Sequence, residues 1–259
     1  MVRFRLLAET LLPKSMARKI KIPNEVRKRS EREAKKRLEG VRSMRRYYLI
    51  VCEGGKTEPN YFEGLKRDLP KGVLTYHRIE VQGTGFNTLT LVDEALRLQH
   101  LHQQQTARPV DRLWIVFDRD NFPPEDFNSA IRRCNGMNPT IGCAWSNEAF
   151  ELWYLLHFHY YNNPVTRTDF KALIEENLRP AAGVSFEYRK NHPDMYSLLK
   201  RHGSRENAIR HARQLHALYS RRQDYANHNP CTTVYILVEE LFGLDEGSMR
   251  RLEDDLESK

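Results

Sequence analysis

Two apolar runs, each stopping on a carboxylate, constrain this chain most. The stretch YYLIVCEGGKTEPNYF opens with six apolar residues, Tyr47 to Cys52, then breaks at Glu53 and a glycine pair before a helix-compatible run starts near Thr57. RLWIVFDRDNF repeats the arrangement: Leu113 to Phe117 are apolar and mostly β-favouring, and Asp118 and Asp120 follow directly. Such continuous runs suit strands buried on both faces. Ligands of open α/β sheets sit outside the carboxyl ends of the strands, so Glu53, Asp118 and Asp120 are expected in one crevice.

Strand and helix patterns alternate around these runs. After the first strand, the sequence predicts a helix over 57–67, a short strand over 78–82, and a helix capped by Asn87 that runs to about Gln104 with Leu89, Val92, Leu96 and Gln99 on one face. The strand 113–117 comes next, and Pro123 and Pro124 open a helix to about Cys134, where first-turn proline is tolerated. Thr140 to Ala144 reads as a fourth strand. SNEAFELWYLLHF reads as a helix capped by Ser146 or Asn147, with Glu148 in its first turn. Alternation of this kind implies right-handed crossovers and a parallel sheet with helices on both faces, a small doubly wound α/β domain over residues 45–160.

Composition sets the outer bounds. Of 42 Lys and Arg, 16 lie in residues 1–46 against five Glu, so the net charge of +8 comes from the arm and not from the rest of the chain. Residues 1–44 are expected to be a basic, flexible arm able to contact phosphates through counterion release, or simply to solubilise the chain. Glu25/Arg29, Glu31/Lys35 and Glu33/Arg37 are spaced for helical ion pairs within it. MVRFRLLAETLLPKS has no cleavage pattern of a signal peptide, and Met16 could equally be the natural start. Cys52, Cys134, Cys143 and Cys231 show no paired spacing, which argues against a zinc ribbon or disulfide framework and fits a reducing cytoplasm. No apolar run approaches the roughly 20 residues of a membrane span.

The chemistry follows from charge. Asp118 and Asp120, two apart, would present both carboxylates to one cation, and hard Mg²⁺ (or Mn²⁺) takes carboxylate, water and phosphate oxygens. Glu53 is expected to ligate a second ion or to act as base for an attacking water. Lys56 is a candidate to neutralise a scissile phosphate. Glu148 and Glu151 lie three apart, on one face of the expected helix. Glu151, between Phe150 and Leu152, would be costly to bury without a cation or basic partner. GGKT resembles the end of a P-loop, but that pattern needs glycine where Ile50 stands, so ATP hydrolysis is not expected.

IVCEGGKTEPNYFEGL, FDRDNF, SNEAFELWYLLHF and NPCTTVYILVEEL, taken in order over residues 45–242, are similar to the RloB-like family. The core of that family resembles the Toprim domain of topoisomerases, bacterial primases and overcoming-lysogenisation-defect nucleases. The resemblance implies a Toprim-like, Rossmann-like parallel sheet with a Glu after the first strand and a DxD after the third, here Glu53, Asp118 and Asp120. It further implies a metal-dependent nuclease acting on RNA or DNA in defence against phage, often beside an ATPase partner. Primase and topoisomerase activities are disfavoured by the missing cysteine cluster and the short chain. A non-catalytic nucleic-acid-binding or regulatory module for the ATPase is the alternative.

Residues 161–259 read as a mainly helical subdomain, with helices over 169–178, 193–202, 205–222 and 233–242. Ser204 caps the third, whose stripe is Ile209, Ala212, Leu215 or His216, and Tyr219. Arg205, Arg210 and Arg213 flank the stripe and, with Arg119, are candidates for phosphate contact, the bland reading being an ordinary charged helix face. Asn229 and Thr233 are expected to help close the site.

Overall fold

The computed structural model describes residues 46–69, 77–83, 88–107, 109–120, 123–138, 140–182, 185–219 and 222–243. The basic arm and the Asn87 cap lie outside the described residues. Those described belong to one compact unit.

The chain is an α/β protein. Its elements run β1 (Arg46–Cys52), α1 (Thr57–Asp68), β2 (His77–Gly83), α2 (Thr88–Thr106), β3 (Arg112–Asp118), α3 (Pro124–Gly136), β4 (Gly142–Asn147) and α4 (Glu151–Leu155). Then come α5 (Asp169–Ala182), α6 (Met195–His202), α7 (Arg205–Ala217), a 3₁₀ turn (Tyr225–Asn227), β5 (Cys231–Thr232) and α8 (Val234–Phe242). The sheet order is β2-β1-β3-β4-β5, parallel except for β5. The chain leaves β1 towards β2 on one side and returns to β3 on the other. That reversal opens a crevice at the carboxyl ends of β1 and β3, where Cys52 stands beside Val116.

Strand alternation divides the core in two. Tyr48, Ile50, Cys52, Trp114, Val116 and Ala144 face α1, α4 and the C-terminal helices. Tyr47, Leu49, Val51, Leu113, Ile115 and Phe117 face α2 and α3. The segment after residue 160 thus packs on the same sheet, and α8 is tied to it by Glu240, which accepts the Tyr48 hydroxyl at 2.9 Å and two Arg112 nitrogens at 2.7 and 2.8 Å.

Three expectations need correction. The buried face of α2 is Leu91, Val92, Ala95 and Leu98, rotated from the expected stripe because the helix meets both the sheet and α3. β4 begins at Gly142 and runs on to Asn147, and α4 starts only at Glu151. Ser146 and Asn147 cannot cap it, because the Ser146 hydroxyl bonds Thr232 Oγ1 at 2.9 Å and the Asn147 amide donates to the Ala226 carbonyl at 2.9 Å. NPCTTV also contains a short strand that no sequence pattern marked, β5, which pairs Ser146 with Thr232 and Asn147 with Cys231. Thr233 opens α8 without capping it, its hydroxyl instead accepting the Trp145 N–H at 2.9 Å. The Ser204 cap is present, accepting the Asn207 N–H at 3.1 Å, and α7 buries Ile209, Ala212 and Leu215 as its stripe requires.

Gly142 lies opposite Trp114 in the β3/β4 register, and a Cβ there would overlap the indole ring. Gly142→Val is expected to destabilise the fold by about 2 kcal/mol through overpacking. A lower urea midpoint at unchanged m-value would show it; a wild-type midpoint would mean that the ring has room to move.

Candidate functional site

The crevice brings Glu53 and Asp118 together. The Glu53 N–H continues the β1/β3 ladder by donating to the Val116 carbonyl at 2.8 Å, and the Asp118 N–H donates to Glu53 Oε2 at 3.1 Å. Glu58, in the first turn of α1, joins them: its carboxylate lies over Gly54, where any Cβ would overlap it. Glu151, in the first turn of α4, completes the group and accepts the Tyr188 hydroxyl at 3.0 Å on Oε1.

Compensation sets this cluster apart. Six carboxylates are buried among the described residues: Glu58, Asp118, Glu151, Glu175, Glu239 and Glu240. Glu175 pairs with Arg179, Glu239 with Arg213 and Glu240 with Arg112. In contrast, Glu58 Oε2, Asp118 Oδ1 and Glu151 Oε2 are buried with no hydrogen-bond partner. Isolated buried charge is expensive, so oxygens left in this way stand out from the paired ones. Burial pushes the Glu53 carboxyl up to about 7, with Glu58 adding to it and the Asp118 N–H, Lys190 and Arg167 opposing. Burial likewise lifts Glu58 to about 7, its own N–H and Lys190 opposing and Glu151 reinforcing. Asp118 is held well above the carboxylate range by burial and by Glu58, Glu151 and Glu53.

The DxD pair is divided. Asp118 is buried in the cluster, whereas Asp120, with backbone φ of 40°, is 27% exposed and ion-paired with Arg167. The Asp120 N–H donates to the Glu148 carbonyl at 3.1 Å, and Glu148 Oε2 accepts the Arg167 N–H at 3.1 Å. Arg167 therefore holds Asp120 and Glu148 together at the rim. Glu148 precedes α4 and so does not share a helical face with Glu151, which corrects the expectation from the sequence. Lys56 is exposed at the start of α1, and the cations that act on Glu53 are Lys190 and Arg167.

The candidate phosphate-binding arginines are dispersed. Arg119 Nη1 donates to the Asp120 carbonyl at 3.1 Å. Arg205 stacks on Phe242 at 3.9 Å and pairs with Glu206, Arg210 donates to Asn207 at 2.8 Å, and Arg213 pairs with Glu239. Glu58, Tyr188 and Lys190 were not anticipated as site residues. The signal for Glu58 was present in EGGKTE, where the glycine leaves space for the following acid.

The donor set fits a hard cation such as Mg²⁺, since the three orphaned oxygens of this cluster are all carboxylate. No group of three or more His, Cys, Asp or Glu among the described residues is already arranged to hold a metal ion. Mg²⁺ commonly uses one or two carboxylates with water and phosphate, so a finished protein cage is not required.

A family model described as RloB-like protein matches residues 48–241. The chain belongs to the RloB-like family. The match spans β1 to α8, so every residue of the carboxylate cluster lies inside the part that defines an RloB-like protein. No curated protein and no solved structure matches this RloB-like chain. No helix among its described residues is long and apolar enough to cross a membrane.

The raised carboxyls carry a stability signature. Glu58 titrates near its ordinary 4.5 when unfolded and near 7 when folded, so its contribution is favourable below 4.5 and is lost as pH rises through 7. Buried His157, lowered to about 4 by burial, has the opposite sign below its ordinary 6.5. The informative quantity is therefore the difference between Glu58→Gln and wild type. Without divalent cations, the variant's melting-temperature advantage should be small at pH 5 and grow to roughly 5 °C at pH 8. Mn²⁺ should narrow it, and a pH-independent difference would show that Glu58 is not in the cluster.

Proposed function

We propose that this protein is a metal-dependent phosphodiester hydrolase acting on RNA or DNA, built on a Toprim-like sheet. The single observation that carries this reading is the set of three buried carboxylates with orphaned oxygens at the carboxyl ends of the strands, while every other buried carboxylate described has an arginine. Asp118, Glu58 and Glu151 would hold Mg²⁺ or Mn²⁺, with Glu53 at the edge of the group. When bound, the ion would supply charge neutralisation for a phosphate and a more acidic water.

The chain's own residues divide the remaining work. Glu53 keeps one oxygen on the Asp118 N–H and has the other for the proton of an attacking water, its titration near neutrality suiting a base. Tyr188 orients Glu151, and Gly54 gives the Glu58 carboxylate its place. Arg167 holds Asp120 and Glu148 at the rim, within reach of Glu53 as a cation. Lys56, exposed at the first turn of α1, would meet the strand outside the cluster. The family resemblance adds the setting, defence against phage with a partner ATPase in the cytoplasm.

Incubation with Mg²⁺ or Mn²⁺ and mixed RNA and DNA substrates tests the proposal. Glu53→Gln and Asp118→Asn should each lower cleavage by about 100-fold or more at unchanged fold. Cleavage equal to wild type would remove this site, and salt-sensitive binding without turnover under any metal would favour a binding module for the ATPase instead.

A further inference from the structure

Beside the carboxylate cluster, the loop Ser185–Pro193 lines a groove of about 740 Å³, a volume within the range of small-ligand sites. The loop has no regular secondary structure, yet it is fixed at three points. The Tyr188 N–H donates to Glu175 Oε1 at 2.9 Å, the Tyr188 hydroxyl donates to Glu151 Oε1 at 3.0 Å, and Thr57 Oγ1 donates to the Lys190 carbonyl at 2.9 Å. One of these anchors is a member of the cluster, Glu151, and another, Thr57, immediately precedes Glu58.

The lining suits a nucleotide. Arg189 and Lys190 are exposed and cationic, and Glu187, the one acid of the lining, is held by Lys171 at 3.0 Å. The Lys190 carbonyl is held by Thr57, the residue before Glu58, so a phosphate on Lys190 would lie on the side of the groove towards the cluster. Phe186 and His192 supply aromatic faces at the same groove, with ring centroids 5.9 Å apart. They are already in mutual contact, so a base would stack on an outer face and not between them. Asn191 and Ser185 add neutral polar groups. Cation, aromatic face and a neighbouring acid centre make a pattern met by single strands, whose bases are free to leave the stack, and not by a closed duplex.

We propose that the Ser185–Pro193 loop is a subsite for one unpaired nucleotide of a nucleic-acid strand, with Lys190 on its phosphate and Phe186 or His192 under its base. This rests on the hydrolase reading for the meaning of the cluster, but binding can be measured apart from cleavage. Anisotropy of labelled single-stranded DNA, single-stranded RNA and duplex oligonucleotides is followed with the full chain in EDTA, where no strand is cut.

Phe186→Ala should weaken single-strand binding about tenfold and leave duplex binding alone, and Phe186→Trp should retain it. Lys190→Gln should reduce the salt slope by about 0.7, one phosphate contact on a single strand. An unlabelled mononucleotide should compete only weakly if the strand, and not a free nucleotide, is the ligand. Single-strand affinities of Phe186→Ala and Lys190→Gln within twofold of wild type would overturn the subsite, even if wild type cuts nucleic acid with Mg²⁺ or Mn²⁺. Loss of binding in these variants with no cleavage by wild type would uphold the subsite and remove the hydrolase. Failure of wild type to bind any strand would remove the subsite.

Discussion

Asp118, Glu58 and Glu151 are buried close enough to repel one another, and much of the surrounding structure serves to hold them there. The desolvation of three carboxyl groups costs several kcal/mol each if they ionise unpaired. A fold selected for stability alone would pair them, as it pairs Glu175, Glu239 and Glu240 with arginines. Backbone donors soften the cost without removing it: the Phe150 N–H for Asp118, the Asp118 N–H for Glu53 and the Glu58 N–H for its own side chain. The balance left over favours whatever positive charge can enter.

Sheet topology explains why these residues meet. β1 and β3 are neighbours whose connections leave in opposite directions, so their carboxyl ends border an open crevice. α1 and α4 begin at that same edge, and their first turns deliver Glu58 and Glu151. Acids are also favoured near helix N-termini by the dipole, which makes these positions cheaper for a carboxylate than most buried ones.

Much of this was legible in the sequence, and the misses have physical causes. Apolar runs ending on Glu53 and Asp118 marked both strands and the edge where the carboxylates gather, because a strand buried on both faces leaves a continuous apolar signature. Glu151 was visible as an acid inside an apolar run. The split between Asp118 and Asp120 was not: a two-residue spacing places both on one side only while the chain stays extended, and the backbone turns to φ 40° at Asp120. Ser146 and Asn147 looked like helix caps because their chemistry suits capping, but partners more than 70 residues away claim both side chains. β5 is too short for periodicity to mark, and Tyr188 and Lys190 reach the site from a coil segment that no local pattern connects to it.

The bond from the Tyr48 hydroxyl to Glu240 spans 192 residues. Its consequence concerns synthesis. A chain emerging from the ribosome exposes β1, with Glu53 just behind it, long before Tyr188 can reach Glu151 or α8 can close over the sheet. Until residue 188 has been made the acidic centre lacks its supporting tyrosine, and until residue 240 has been made the last helix cannot be tied to the sheet, so the cluster is completed only late in synthesis.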